Sequence, residues 1–175
     1  MIIDVSSILK EFGGKISFDD KVEISDLNFG GSDYRFGEPL SVKGGVSNTG
    51  GALSLKADVS GVMTTQCARC MKDIDVPIEF TISETLMRSD EVDGDLGTVS
   101  EDDDVIVFEG NTVNLDEIIE NNFIMNLSPR YLCRDDCKGL CPKCGKDLNE
   151  EICDCKDDEI DPRWAALADM IKNED

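Results

Sequence analysis

The 175-residue chain contains no histidine, and only 6% of its residues are aromatic. Without histidine, any zinc site that uses only soft ligands must be built from cysteine thiolates. The same absence argues against catalytic zinc, which usually has nitrogen or carboxylate ligands and an open coordination position. No serine–base pairing, phosphate-binding glycine loop or paired-carboxylate motif is evident in the sequence either. We therefore expect a protein that is not an enzyme.

Long apolar runs are also missing from the sequence. No stretch approaches the roughly 20 apolar residues that a membrane helix needs. The first residues, MIIDVSSILKEFGG, lack the basic segment and apolar run of a secretory signal. We therefore expect a cytoplasmic protein without a membrane partner, and in a reducing compartment its eight cysteines are better suited to metal binding than to disulfides.

Basic residues are scarce, because 17 lysines and arginines stand against 38 acidic residues, for a net charge of −21. A surface of this sign repels phosphate backbones at long range, so direct RNA binding would need a local exception. Basic proteins are the more natural partners. The alternative that the acidic surface serves only solubility remains open.

Most of the first half of the chain alternates between apolar and polar residues, which is typical of β-strands with one buried face. Between residues 15 and 80 we predict three to five antiparallel strands, including a hairpin with its turn at Asn48-Thr49-Gly50-Gly51. A further strand is predicted at VIVFEG. The alternating segments are KISFDDKVEI, ALSLKADVSGVM and VPIEFTISETLM.

Two helix starts follow. The first helix is predicted to begin at Asn114, a good N-cap with Glu117 three residues on, and to end before Pro129. The second begins at Asp161-Pro162. The apolar residues predicted to share one face of these helices are Leu115, Ile118, Ile119, Phe123 and Leu127 in the first, and Trp164, Leu167, Ala168 and Ile171 in the second.

The pattern as a whole predicts an α+β fold, in which an antiparallel β-rich domain with one or two helices precedes a small cysteine-rich segment with a terminal helix. We place the β-rich domain at residues 1–128 and the cysteine-rich segment at residues 129–175. An acidic surface loop is predicted at residues 88–104, which hold eight acidic residues and one basic residue.

The cysteine-rich segment contains the stretch CKGLCPKCGKDLNEEICDC. Cys141 and Cys144 are spaced two residues apart, and Gly145 permits the backbone reversal after the second ligand. Cys153 and Cys155 can supply a second pair of thiolates. These four residues predict a structural Zn²⁺ site, with an iron–sulfur cluster as the alternative.

Two further cysteines, Cys133 and Cys137, could replace members of that quartet. Residues 129–147 also hold five basic side chains against three acidic ones. Four thiolates and one Zn²⁺ carry a net charge of −2, so we interpret these basic residues mainly as neutralising the metal site.

The remaining cysteines form the motif Cys67-Ala68-Arg69-Cys70, which lies between two predicted strands. Thioredoxin-like redox centres place such a motif at the start of a helix, so this chemistry is not expected here. We interpret Cys67 and Cys70 as a structural or partner-facing thiol pair. The alternative is a second zinc site completed by Cys133 and Cys137.

The CARC motif, the acidic insert, VNLDEIIENNFIMNLSPRYLC, CKGLCPKCGKDLN, CDC and DPRWAAL together resemble the YceD-like family. Its members are described as large ribosomal RNA subunit accumulation proteins, and the resemblance runs from about residue 40 to residue 171. It implies a non-enzymatic factor for large ribosomal subunit assembly that contacts a subunit precursor or a basic ribosomal protein. Some family members keep the C-x-R-C pair but lack the later cysteine-rich stretch, called the zinc knuckle. This implies that Cys67, Arg69 and Cys70 act independently of the knuckle. A zinc-dependent adaptor unrelated to ribosomes is the alternative function.

Overall fold

The computed structural model describes residues 1–90 and 105–155. The described part is strand-rich with one helix, so the predicted α+β class is confirmed. Its elements are β1 (Ile2–Asp4), β2 (Lys15–Val22), β3 (Leu27–Phe29), β4 (Ser32–Tyr34), β5 (Leu40–Asn48), β6 (Leu53–Gln66), β7 (Asp73–Arg88), β8 (Val105–Phe108), β9 (Thr112–Asn114) and α1 (Leu115–Met125).

The main sheet has five strands in the order β2-β5-β6-β7-β8. The predicted β5–β6 hairpin is present, and its turn is closed by the backbone N–H of Thr49, which donates to the carbonyl of Ala52 at 2.9 Å. Strands β6 and β7 form a longer hairpin, in which Gln66 at the end of β6 pairs with Asp73 at the start of β7. The residues between these two positions, which include the CARC motif, therefore form the tip of the longest hairpin in the described part of the chain.

One strand of the main sheet runs parallel to its neighbour. VIVFEG does form strand β8, but β8 runs parallel to β7, with Thr85 opposite Val105 and Arg88 opposite Phe108. The sequence predicted this strand without a direction, because alternation of apolar residues marks a strand and does not specify how it pairs.

One face of the main sheet and helix α1 enclose the apolar core. Along β6 the side chains alternate between buried and accessible positions, as a strand with one solvent-facing side requires. The fully buried core side chains of these elements are Leu40, Val42, Val46, Leu55, Val59, Met63, Ile82, Leu86, Leu115, Ile119 and Phe123.

Helix α1 begins as predicted, because the Asn114 side chain accepts a hydrogen bond of 3.2 Å from the backbone N–H of Asp116. It ends at Met125, earlier than the predicted stop at Pro129. The Asn126 side chain donates to the carbonyl of Asn122 at 2.8 Å, so a polar cap closes the helix before the proline is reached. Leu127 consequently lies beyond the helix, although it still packs against the core.

Aromatic contacts fix the chain that leaves helix α1. The Phe123 ring lies edge-on to Phe36 and Tyr34, with centroids 5.2 and 6.1 Å away. Tyr131 in turn packs edge-on against Tyr34, with a centroid separation of 6.4 Å. These contacts hold the entrance to the cysteine-rich segment against the sheet domain.

Two predicted features fall largely outside the described residues. Of the acidic loop predicted at 88–104, the structure describes only residues 88–90. Arg88 is the last residue of strand β7. The helix predicted from Asp161 lies wholly outside the described residues, and the domain boundary after residue 128 stays a prediction.

Candidate metal centres

The CARC motif forms a tight turn at the tip of the β6–β7 hairpin. The backbone N–H of Cys67 donates to the carbonyl of Lys72 at 2.8 Å, and the N–H of Met71 donates to the carbonyl of Cys67 at 2.9 Å. Met71 adopts a φ of 60°, a left-handed conformation that residues other than glycine rarely adopt. This backbone turns both thiols of the motif toward the protein interior, where Cys67 and Cys70 are buried.

The CPKCG motif forms the same turn. The N–H of Cys141 donates to the carbonyl of Lys146 at 2.7 Å, and the N–H of Gly145 donates to the carbonyl of Cys141 at 2.9 Å. Gly145 has a φ of 74° at the position that Met71 occupies in the first turn. The segments C-A-R-C-M-K and C-P-K-C-G-K are therefore two copies of one cysteine knuckle, of which the sequence identified only the copy with glycine.

Each knuckle meets a second pair of cysteines. The first group consists of Cys67, Cys70, Cys133 and Cys137, and the second of Cys141, Cys144, Cys153 and Cys155. Within each group the four sulfur atoms all lie within 4.8 Å of one another. Two groups of four thiols could therefore each hold a metal ion.

The separations between the sulfurs distinguish metal binding from disulfide formation. The Sγ atoms of Cys67 and Cys137 are 3.9 Å apart in the first group, and those of Cys144 and Cys153 are 3.4 Å apart in the second. A disulfide requires about 2.05 Å, and all eight cysteines are free. Four thiolates arranged tetrahedrally at 2.3 Å from one zinc ion would be about 3.8 Å apart. Both groups fit a single tetrahedral ion.

The two groups differ in burial. In the first group Cys67, Cys70 and Cys137 are buried and only Cys133 is exposed, and Leu132 packs against the buried thiols. In the second group only Cys141 is buried. The first group is therefore largely shielded from solvent, whereas the second lies near the surface.

The protein backbone favours ionisation of one thiol in each group. Burial opposes ionisation of Cys67, but the backbone N–H groups of Cys133, Cys70 and Arg69 outweigh it and lower the pKa of the thiol to about 6. The backbone N–H groups of Cys144 and Lys143 likewise lower the pKa of Cys141 to about 6.

Other thiols in the same groups shift in the opposite direction. Burial and the neighbouring thiols raise the pKa of Cys133 to about 12. The Cys153 and Cys144 thiols are the main cause that raises the pKa of Cys155 to about 12. Four thiolates crowded this closely therefore need a cation among them before all can ionise.

Side chains from the first knuckle and from the loop of the second group connect the two groups. Lys72, from the first knuckle, lies 3.2 Å from Asp147 Oδ2 and 2.5 Å from Glu150 Oε1 in the loop of the second group. Asn149, from that same loop, donates through Nδ2 to the Cys137 sulfur at 3.5 Å and accepts from the backbone N–H of Lys138 at 2.8 Å. The two groups are thus packed against each other by polar contacts that the sequence did not reveal.

Arg69, which the sequence grouped with the CARC thiols, also bridges the segments. Its guanidinium donates to the carbonyls of Cys137 and Asp135 at 2.7 and 3.2 Å. Its own carbonyl accepts from the N–H of Leu140 at 3.1 Å. Arg69 therefore positions the backbone that carries the second pair of thiols of the first group.

Comparison with known proteins places these cysteines in a family. Residues 55–171 match the family described as "Large ribosomal RNA subunit accumulation protein YceD", a range that includes all eight cysteines. The chain belongs to the YceD family. The resemblance noted from the CARC motif, the knuckle and the flanking segments is thereby confirmed.

Relatives of this family member occur in several bacteria and in a plant. It is 29% identical over 161 residues to the uncharacterized protein YlbN of Bacillus subtilis, covering 90% of this chain and 89% of that protein. It is 31% identical over 106 residues to an uncharacterized protein of Mycobacterium tuberculosis, covering 61% of this chain and 49% of that protein. It is 26% identical over 162 residues to the chloroplastic "Large ribosomal RNA subunit accumulation protein YCED homolog 1" of Arabidopsis thaliana, covering 79% of this chain and 50% of that protein.

The chain thus spans about half the length of the mycobacterial and plant relatives. No solved structure gives a significant match to it. Across residues 1–90 and 105–155, no helix is both long and apolar enough to cross a membrane.

The structure brings together the four cysteines that the sequence predicted as a zinc quartet, Cys141, Cys144, Cys153 and Cys155. It places the proposed substitutes, Cys133 and Cys137, with the CARC thiols instead. What the sequence missed are Lys72, Asp147 and Asn149. A signal for one of them was present, because a lysine stands two residues after the last cysteine of both knuckles.

Proposed function

We propose that this protein is a non-enzymatic, cytoplasmic factor that supports accumulation of large-subunit ribosomal RNA and assembly of the large ribosomal subunit. The observation that carries the proposal is its membership of the YceD family over residues 55–171. The named function of the plant relative, with which 79% of this chain aligns, supports it further.

We propose a structural Zn²⁺ ion in the quartet of Cys141, Cys144, Cys153 and Cys155. Sulfur-only coordination with four protein ligands leaves no open position for substrate, which is typical of structural sites rather than catalytic ones. The role of the ion is to order a segment too short to bury a core of its own.

We propose further that the partner on the assembling subunit is a basic ribosomal protein. The net charge of −21 attracts such a protein at long range and repels exposed RNA. The outward side of β6 and β7 contributes exposed acidic residues to this field, among them Asp58, Asp75 and Glu79. The acidic segment 88–104 is the other candidate contact.

The basic side chains of residues 129–147 are poorly suited to be an RNA site. Arg134 pairs with Asp136 at 3.3 Å and donates to Asn149 at 2.8 Å, and Lys146 pairs with Glu151 at 3.1 Å. Side chains already paired with carboxylates gain less from phosphate contacts. We therefore expect weak binding to isolated ribosomal RNA fragments.

The biological role is tested by depleting the protein in its own host. We expect large-subunit ribosomal RNA to fall and sucrose gradients to show too little mature large subunit relative to small subunit. A normal large-subunit profile after depletion would overturn the proposed role. Crosslinking from the exposed β7 face, followed by mass spectrometry, identifies the bound component.

The basic-partner proposal is tested with two variants that remove the same amount of negative charge. One neutralises Asp58, Asp75 and Glu79 on the sheet, and the other neutralises Glu101, Asp102 and Asp103 in the acidic segment. Affinity for the captured ribosomal protein should fall with rising salt and should fall most in the variant whose acids contact it. Tight, salt-sensitive binding to RNA alone, lost when Arg130, Arg134 and Lys138 are neutralised, would contradict the proposal.

An adaptor function outside ribosome assembly is the competing proposal, since a closed zinc site orders a segment without giving it a catalytic role. A pulldown at moderate salt separates the two. Recovery of large-subunit proteins supports the assembly role, and their absence among specifically bound proteins favours the adaptor.

A further inference from the structure

The thiols of Cys67, Cys70, Cys133 and Cys137 have the geometry of a complete ligand set. Their Sγ atoms all lie within 4.8 Å of one another, with 3.9 Å between Cys67 and Cys137 and 3.6 Å between Cys70 and Cys133. These separations bracket the roughly 3.8 Å edge of a tetrahedral ZnS₄ unit. They leave no room for the bridging sulfides of a multi-iron cluster, so a single ion is the occupant that fits.

The backbone turn that carries Cys67 and Cys70 has the same conformation as the turn that carries Cys141 and Cys144. Both turns have a left-handed residue after the second cysteine, with φ of 60° at Met71 and 74° at Gly145. A non-glycine residue in this conformation costs about 1–2 kcal/mol, so something must hold the turn in place. Coordination of both cysteines of the turn by one ion provides that constraint.

The surroundings of the group are also arranged around its sulfurs. Asn149 donates to the Cys137 sulfur at 3.5 Å, and Arg69 fixes the carbonyls of Cys137 and Asp135 at 2.7 and 3.2 Å. Metal-bound thiolates are commonly held by such neighbouring donors. A thiol pair that faced a partner protein would be accessible, whereas Cys67, Cys70 and Cys137 are buried.

We propose that Cys67, Cys70, Cys133 and Cys137 form a second structural zinc site. This site joins the tip of the β6–β7 hairpin to the cysteine-rich segment, so the metal fixes the segment against the hairpin. The proposal does not depend on the ribosomal role, because it concerns only the metal content and folding of the chain.

The metal content of the full-length protein tests the proposal directly. Native mass spectrometry and elemental analysis of protein purified without chelator should give two zinc ions per chain. Replacing Cys67 and Cys70 with serine should leave one, and the matched replacement of Cys141 and Cys144 should also leave one. One zinc per wild-type chain, iron in place of zinc, or unchanged metal content after Cys67→Ser and Cys70→Ser would overturn it.

Two further measurements cover the case in which the buried serines prevent folding. Cys133 is exposed, so Cys133→Ser alters little of the core and should still lower zinc retention by about one ion under chelator challenge. Titration of the unaltered apoprotein with Co²⁺ should develop the intense sulfur-to-cobalt absorption until two equivalents are bound. Saturation at one equivalent would overturn the proposal irrespective of any variant.

Discussion

Gly139 offers the sharpest perturbation of the contact between the two cysteine groups. It lies between Cys137 and Cys141 with a φ of 76°, and a Cβ atom there would meet the Arg69 carbonyl oxygen at 2.8 Å. Gly145 has nearly the same φ, 74°, but a Cβ atom there would meet nothing within 4 Å. The Gly139→Ala and Gly145→Ala variants therefore share the backbone strain and differ in the steric clash.

The magnitudes follow from these two geometries. Alanine in a left-handed conformation destabilises the folded state by about 1–2 kcal/mol. The lower conformational entropy of alanine in the unfolded chain offsets about 0.4–1 kcal/mol of this cost. We therefore expect Gly145→Ala to destabilise the folded segment by about 1 kcal/mol. In Gly139→Ala the Arg69 carbonyl must also move, which strains the packing by about 1–3 kcal/mol and weakens its 3.1 Å hydrogen bond from Leu140. Its total cost should be about 2–4 kcal/mol.

Competition with a chromophoric chelator measures this difference, because the folding free energy of a metal-bound segment contributes to its metal affinity. Gly139→Ala should bind zinc about 5- to 140-fold more weakly than Gly145→Ala, since the two costs differ by about 1–3 kcal/mol and each 1.4 kcal/mol is a factor of ten. Far-UV circular dichroism of both variants should retain the sheet signal. Equal zinc affinities for the two alanine variants would refute the argument that the Arg69 contact couples the groups.

Three further predictions concern the knuckle, the core and the metal. Met71→Gly should leave stability unchanged or raise it by up to about 1 kcal/mol in thermal melts, because it removes left-handed strain from an exposed side chain; a loss above 1 kcal/mol would show that the Met71 side chain itself is needed. Phe123→Ala should cost about 3–5 kcal/mol in urea unfolding, because it empties a fully buried site against the aromatic rings of Tyr34 and Phe36, whereas its zinc content should not change. Removal of metal by a strong chelator should loosen residues 129–155 in hydrogen exchange yet preserve protection in β5 and β6, whose core is apolar; exchange of the whole sheet at the same rate would contradict this separation.

Local patterns predicted the strands of the main sheet and the helix well because their signals lie within a few neighbouring residues; the short strands β1, β3, β4 and β9 were not predicted. The β5–β6 turn follows from Asn48 through Gly51, and the start of α1 follows from the side chain of Asn114. The end of α1 was misjudged, because Asn126 caps the helix before Pro129 can break it. Both Asn126 and Pro129 can end a helix, and the side-chain hydrogen bond of Asn126 decides between them. The spacing of residues in the sequence does not show this bond.

The grouping of the cysteines illustrates the opposite case. The quartet from Cys141 to Cys155 lies within one short segment, so its spacing alone predicted it. The juxtaposition of Cys67 and Cys70 with Cys133 and Cys137 depends on the register of the β6–β7 hairpin and on the path of the chain after α1. Neither of these is encoded in the spacing of the cysteines, which is why the sequence left this pairing as one of several alternatives.

The first knuckle was also hard to predict because methionine, and not glycine, follows its second cysteine. Glycine after the second cysteine is the usual mark of this turn, and Gly145 provides it in the second copy. Met71 adopts the same conformation without that mark. Tertiary contacts around the turn, including the 2.9 Å hydrogen bond from the Ala68 N–H to the Tyr131 carbonyl, override the local preference of methionine.

The two cysteine groups close loops of very different length, and this difference affects the order in which the protein assembles. The sulfur contact between Cys144 and Cys153 spans 9 residues, whereas that between Cys70 and Cys133 spans 63. Closing the longer loop costs about 1.7 kcal/mol more in chain entropy, because this cost grows with the logarithm of loop length. On the ribosome, the early pair Cys67–Cys70 must wait for more than sixty further residues to be synthesised, about 3–12 s at ordinary elongation rates. The group from Cys141 to Cys155, which is synthesised last, can therefore form locally without the sheet. The pair Cys67–Cys70 is completed only after the sheet domain has been synthesised.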